Sequence, residues 1–359
     1  MRTAFYITVD DGYLGIGLAQ AKRLHALWGI DVHVFIEGAG GIERDETGTG
    51  GIFVHRNLMH DMIPSALPST ESWPRIVYGR IFAPLLLGQY DRLVYLDADI
   101  FPMVAASEIL DLEMPGGLAA VQDGATINGA PHSAGDDRAR WKQSIGLNSD
   151  RYFNAGVMIL DQKMWAQVDF ARELLDYMAK HGTSARMQDQ DFLNCFFQDR
   201  WTELSPRFNY QKAHFNYGYE RVFPPVFLHF SSFQKPWLQP DSLDSVHGQF
   251  FAPYQEMFAQ AGVDYRDYLR RRPESALRKL RTRIRDMLTR NGIQTSKERR
   301  QREEWDRKSD AIFVGLSADA QQNRYADMQF TLAEKPTPRL SFDGRYLRRA
   351  LDISYTPIE

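Results

Sequence analysis

The chain of 359 residues contains a single cysteine, Cys195, which excludes an intrachain disulfide and fits a reducing compartment. Long apolar runs are missing as well. No stretch approaches the roughly 18 unbroken apolar residues of a membrane span, so any membrane contact is expected to be peripheral. The opening MRTAFYITVDD carries acids where a secretion signal needs an apolar run and a small-residue cleavage site, and no signal peptide is expected. Excess charge is also absent. A formal net charge of -3 gives no reason to expect nucleic acid as a partner. There is no internal repeat. What remains is an ordinary soluble composition, long enough for one large domain or a domain with an extension.

Strand-like and helix-like segments alternate through the first two-thirds of the chain. Residues 4–9 form a short apolar run ending at Asp10 and Asp11. A helix is expected over 13–28, with Leu14, Leu18, Ala21, Leu24 and Leu27 at helical spacing. Further strands are expected at 31–36, 92–96, 117–121, 156–160 and 226–230, and helices at 75–87 and 163–179. The last would bury Trp165, Val168, Ala171, Leu175 and Met178 on one face. Residues 38–51, rich in glycine and polar side chains, read as a surface loop. This alternation predicts a doubly wound, Rossmann-like α/β fold with a mostly parallel sheet, which binds ligands at the carboxyl ends of its strands.

The local chemistry falls at those ends. The run RLVYLDAD places Asp97 and Asp99 directly after an apolar strand. Residues i and i+2 of extended backbone project to the same side, so both carboxylates can reach one hard divalent cation. Such a cation bridges a diphosphate and offsets the charge of a departing phosphate. YFNAGVMILD sets Asn154 and Gly156 at the head of a buried strand. The glycine admits a close backbone approach, and the amide can hold sugar hydroxyls. DQDFLN follows at Asp189, and a further strand ends at His229, six residues before Lys235.

Taken in order, the strand ending in Asp10-Asp11, Tyr78-Gly79-Arg80, YLDAD, YFNAGV, DQDFLN and HF…KPW resemble glycosyltransferase family 8 over roughly residues 1–240. The resemblance implies a GT-A type fold, retention of anomeric configuration and a UDP-hexose donor, glucose or galactose. It implies a manganese ion held by Asp97, Asp99 and His229, with Mg²⁺ as a substitute. The imidazole in that set favours Mn²⁺ over Mg²⁺. It places uridine against Thr8, Asp10, Asp11 and Tyr13. Arg80, Asp97, Ala98, Asp99, Asp123 and Asn154 fall around the donor, and Lys235 against the diphosphate. Asp189 and Gln190 are the catalytic candidates near the reacting face. No clear nucleophile stands out, and a front-face route in which the donor phosphate assists the acceptor is equally open. The family often has a glycine three residues after the histidine, and here that residue is Ser232.

Each residue also has a plain structural use. Asp10 and Asp11 can cap the following helix. Arg80 can pair with Asp91 or Glu71, Asp123 and Asn154 can serve turns, and His229 can be a satisfied core histidine. Two other functions stay open: a sugar-nucleotide pyrophosphorylase, disfavoured by the lack of a glycine-rich basic phosphate loop, and a non-catalytic carbohydrate-binding scaffold. The acceptor, a saccharide or glycolipid, is not specified by any recognisable segment.

Residues 1–263 are read as the catalytic domain, 264–308 as a basic helical segment and 309–359 as a C-terminal extension. Residues 270–308 hold fifteen Lys/Arg against six Asp/Glu. Leu277, Leu280, Ile284, Met287 and Leu288 share a helical face among the arginines. Such a helix suits an anionic membrane surface, at the cytoplasmic side where a lipid-linked acceptor lies, or an oligomer contact. A strand is expected at 311–316.

Overall fold

The structure is a computed structural model describing residues 1–70, 73–124, 135–215, 217–231, 235–238, 246–268 and 296–337. Its central sheet has seven strands: β1 (Thr3–Asp10), β2 (Asp31–Glu37), β3 (Ile52–Arg56), β4 (Arg92–Leu96), β6 (Leu118–Gln122), β7 (Phe153–Asp161) and β8 (Thr202–Leu204). They run in the order β3-β2-β1-β4-β7-β6-β8. All neighbours are parallel except at β7, which lies antiparallel to both β4 and β6.

Alternation along β1 explains the layering. Phe5, Ile7 and Val9 enter one apolar cluster with Leu24, Val94, Leu96 and Phe227, while Ala4 and Tyr6 enter another with Ile81, Phe82, Tyr95, Met158 and Phe192. Both faces are covered, as a mostly parallel sheet requires. The helix Leu14–Trp28 follows β1 and packs on the first of these faces.

A second, three-stranded sheet decides where the site forms. β5 (Ile100–Pro102) begins one residue after Asp99, β9 is Tyr210–Gln211 and β10 is Phe227–His229. β10 pairs antiparallel with β5, setting His229 opposite Ile100, and parallel with β9, setting His229 beside Gln211. A third apolar cluster holds this sheet, with Phe101, Tyr210, Phe230, Trp237, Tyr254 and Phe258.

Two expectations are corrected. Residues 311–316 are not a strand: they lie inside the helix Ser296–Gln321, where Ile312 and Leu316, one helical turn apart, are buried in the third cluster and Val314 faces solvent. The charged residues flanking this short apolar run favour a helix. The expected helix at 163–179 is two helices, Gln162–Trp165 and Phe170–His181, because Asp169 caps a new start by accepting from Arg172 N at 3.2 Å. The restart shifts the buried face to Phe170, Leu174 and Tyr177, leaving Leu175 exposed. The segment 75–87 is helical in short turns: two 3-10 turns flank Gly79–Phe82. The basic face Leu277, Leu280, Ile284, Met287 and Leu288 lies outside the described residues, as does the tail beyond 337.

Two histidines sit buried on adjacent strands, His33 on β2 and His55 on β3, with Nδ1 of His33 2.9 Å from Nε2 of His55. His55 Nδ1 accepts from Asp45 N at 3.2 Å, and His33 Nε2 meets Tyr90 Oη at 2.9 Å. Burial, aided by their mutual repulsion, pushes the pKa of His33 down to about 3; burial with Arg44 pushes His55 down to about 4. Their folded pKa values lie below the ordinary 6.5, so the unfolded chain takes up protons that the native one refuses. The associated stability is whole above pH 6.5 and drains as pH falls towards 4. Melting temperature should therefore fall over that window by differential scanning fluorimetry, and His55→Gln should show a shallower fall. Equal slopes in the two proteins would assign the acid sensitivity elsewhere.

Candidate active site at the carboxyl edge of the sheet

Strand β4 is buried throughout and delivers Asp97 at its carboxyl end. The turn that follows is held by Gln20, whose Nε2 donates to the carbonyls of Asp97 (2.9 Å) and Ile100 (3.0 Å). Asp97 Oδ1 accepts from Tyr95 Oη at 2.7 Å and lies 3.0 Å from the guanidinium of Arg80. Its Oδ2 is 3.8 Å from His229 Nε2, and Asp99 Oδ1 is 3.2 Å from the same nitrogen. Ligand atoms of Asp97, Asp99 and His229 lie within 4.8 Å of one another.

These residues fit a divalent cation. Asp99 Oδ1 is buried yet accepts no hydrogen bond of proper geometry, despite its closeness to the imidazole. Backbone is also cleared for the site: a Cβ on Gly156 would stand 2.4 Å from His229 Cε1 and 2.8 Å from Asp97 Oδ2. The donor set of two carboxylates and an imidazole suits a first-row divalent ion. Burial alone would raise the Asp99 pKa, but the charge of Lys235 outweighs it and holds the carboxyl well below the usual range. Lys235, expected at a diphosphate, here donates to Asp99 Oδ2 and to the Phe230 carbonyl.

The antiparallel run of β7 brings its amino end to the same edge, with Asp97 N donating to Gly156 O at 2.8 Å. Asn154 Nδ2 donates to Asp123 Oδ2 at 3.0 Å. Gln190 Oε1 accepts from Ala155 N at 2.9 Å, and its Nε2 reaches Tyr152 Oη at 3.1 Å. Arg80 ties the two halves together. It is 3.0 Å from Asp97, 3.0 Å from Asp189 Oδ2, and donates to Ala155 O at 3.0 Å. Asp91, offered as a surface partner for Arg80, instead lies 3.8 Å from Lys163, and Glu71 is outside the described residues. Asp189 is only 1% exposed, and burial pushes its pKa up to about 6 against the pull of Arg80.

Thr8, 8% exposed, hydrogen bonds with Tyr95 Oη at 3.4 Å. Asp10 Oδ1 accepts from Tyr13 N at 2.9 Å, capping the turn before the first helix. Asp11 points outward, paired with Arg56 at 2.6 Å and accepting from Ala39 N at 2.7 Å. Tyr13 is exposed and stands edge-on to Trp237, which is itself buried against Tyr254. Ala98 packs between the second and third clusters. Thr8, Arg80, Asp97, Asp99, Asp123, Asn154, Asp189, Gln190, His229 and Lys235 are thus joined in one contact network, whereas Asp10 and Asp11 bond to the turn after β1 and to the Ala39–Arg56 region; Ser232 lies outside the described residues. Sequence reading missed Gln20, Tyr95 and Asn209. Asn209 Oδ1 meets His229 Nδ1 at 2.9 Å, and nothing in the local sequence marks it.

The profile described as Glycosyl transferase family 8 matches residues 49–240, just over half of the chain. The chain belongs to glycosyltransferase family 8. Every expected site residue except the 8–13 segment lies inside the match. Among curated family relatives, the Escherichia coli K12 lipopolysaccharide 1,2-glucosyltransferase is 30% identical over 186 residues, covering 48% of this chain and 52% of that protein. The Salmonella typhimurium lipopolysaccharide 1,3-galactosyltransferase is 28% identical over 190 residues, with coverages of 48% and 52%. The chain spans about half the length of these curated relatives. A crystal structure of galactosyltransferase LgtC with donor and acceptor sugar analogues superposes with a TM-score of 0.54 at 21% identity, covering 76% of this chain and 98% of that one. That likeness shows the GT-A fold, a mixed α/β architecture with a mostly parallel sheet.

Proposed function

We propose that this family 8 chain transfers a hexose, glucose or galactose, from a UDP-sugar to a saccharide or glycolipid acceptor, with retention and with Mn²⁺ as the cation. The observation that carries this reading is the convergence of Asp97, Asp99 and His229 at the carboxyl edge of the sheet. The sugar specificities named for the two bacterial relatives support the choice of hexose, and their lipopolysaccharide chemistry supports the acceptor class. No helix among the described residues is long and apolar enough to cross a membrane.

Asp97, Asp99 and His229 would hold the cation, which when bound supplies electrophilic stabilisation of the diphosphate leaving group. Lys235 starts on Asp99 and is within reach of a phosphate, adding a second positive charge where the leaving group develops. Asn154, with its amide pinned to Asp123, and Arg80, pinned by Asp189, orient the donor sugar. Thr8, Asp10, Asp11 and Tyr13 line the strand end assigned to uridine. Asp189 is covered and engaged by Arg80, so it is withheld from the anomeric carbon. That burial favours a front-face reaction, in which the donor phosphate helps deprotonate the acceptor hydroxyl and Gln190 steadies the sugar face.

UDP-release assays across a panel of nucleotide sugars test the reading. Release from UDP-glucose or UDP-galactose should depend on added Mn²⁺ even without acceptor, through slow hydrolysis. Calorimetry should show UDP binding that also needs Mn²⁺. Tighter binding of GDP or CMP than of UDP would remove the donor assignment.

A further inference from the structure

One backbone group sets the orientation of a chain of buried side chains that ends at His229. Gly156 N–H donates to Asn154 Oδ1 at 3.0 Å, and a backbone amide nitrogen can only donate. The oxygen of Asn154 is therefore on that side, and its Nδ2 faces Asp123 Oδ2 at 3.0 Å. Asn209 Nδ2 donates to the same Asn154 oxygen at 2.9 Å, which turns Asn209 Oδ1 towards His229 Nδ1 at 2.9 Å. A carbonyl oxygen only accepts, so Nδ1 carries a proton, and in the neutral ring Nε2 then presents its lone pair. That lone pair looks at Asp99 Oδ1, 3.2 Å away, and Asp97 Oδ2, 3.8 Å away. Three acceptors facing one another repel unless a proton or a metal cation lies between them. Asn209 is 0% exposed and His229 2%, so water does not compete for these bonds.

We propose that Asn209 is a positioning residue that serves the cation and the donor sugar together: it locks His229 in the Nδ1–H tautomer with Nε2 free for the metal, and with Gly156 N–H it holds the Asn154 amide in place. The proposal rests on the reading of Asp97, Asp99 and His229 as the cation site. Its basis is the single amide that joins a metal-facing imidazole to a sugar-facing asparagine. Asn209 ends a turn, Pro206–Asn209, directly before β9, and β9 lies beside β10 in the register that sets Gln211 next to His229. Fold topology, not local sequence, thus delivers this amide to the ring. A partner that fixes the tautomer of a liganding histidine is a general device for tuning affinity.

The test compares Asn209→Leu and Asn209→Asp with the wild-type protein. Mn²⁺ alone is titrated by electron paramagnetic resonance, and ¹⁵N spectra of histidine-labelled, metal-free protein report the His229 tautomer. Asn209→Leu should weaken Mn²⁺ binding by about 10–100-fold and lose the pure Nδ1–H pattern. Asn209→Asp keeps an acceptor for Nδ1–H but loses the donor to Asn154. It should bind Mn²⁺ closer to wild type, keep the tautomer, and show a raised KM for UDP-hexose with a smaller change in kcat. A wild-type His229 protonated on Nε2, or wild-type Mn²⁺ affinity in Asn209→Leu, overturns the proposal. Should wild-type protein bind no Mn²⁺ at all, the cation-site reading fails by itself, and the ¹⁵N pattern still decides the tautomer.

Discussion

On the proposed reading, Asp97→Asn and Asp99→Asn should each lower UDP-hexose turnover by about a thousandfold or more, because each takes an anionic ligand from the cation that would stabilise the leaving group. Stability should change little in Asp97→Asn and fall in Asp99→Asn. In Asp97→Asn the new amide oxygen can still accept from Tyr95 Oη, now 2.7 Å from the carboxylate, and Arg80 would keep its pair with Asp189. In Asp99→Asn the Lys235 ammonium loses its counter-ion and keeps the Phe230 carbonyl. Steady-state UDP release at limiting Mn²⁺, read beside the melting temperature, checks both variants. Wild-type turnover in Asp97→Asn under those conditions would show that the carboxylate does not serve a cation.

Arg80→Met should have the largest effect on stability. Arg80 is the countercharge of a carboxylate that is 1% exposed, and removing one partner of a buried pair costs about 3–5 kcal/mol. The sign of its pH dependence follows from Asp189. Burial already raises that pKa to about 6, and loss of the guanidinium raises it further. The variant can therefore neutralise Asp189 by taking up a proton, and its deficit should be full at pH 8 and smaller at pH 5. Denaturant titrations at the two pH values measure this. The double variant Arg80→Met/Asp189→Asn should regain part of the loss at pH 8. Equal destabilisation of single and double variants would mean that Arg80 matters for packing or for its bond to Ala155 O, and not for the charge of Asp189.

The differences between local sequence pattern and structure have a common origin. The run at 311–316 is apolar enough for a strand, but six residues do not distinguish a buried strand from one face of a helix. At 163–179 the apolar periodicity runs on through Asp169, whose cap restarts the helix and rotates the buried face. Arg80 was assigned surface acids as its alternative partners. Its actual partners, Asp97 and Asp189, lie 17 and 109 positions further along, and no local pattern pairs them.

By itself the sequence determined β1, β2, β4, β6, β7 and β10, because alternation and apolar runs there are local properties of extended chain, and it placed Asp97 and Asp99 directly after a buried strand; β3, β5, β8 and β9 were not among the expected strands, and a turn closed by Ile100 N on Asp97 O, not extended backbone, carries the two carboxylates. The sequence also carried enough ordered motifs to indicate the family. Tertiary structure decided how those pieces meet. The reversal of β7 puts Gly156 beside Asp97, and the small sheet sets His229 opposite Ile100. The fold of the 206–211 segment gives that histidine its amide partner. Strand direction and register between distant segments are settled by which faces bury against each other and which backbone groups find partners, and neither is written in a short window of residues.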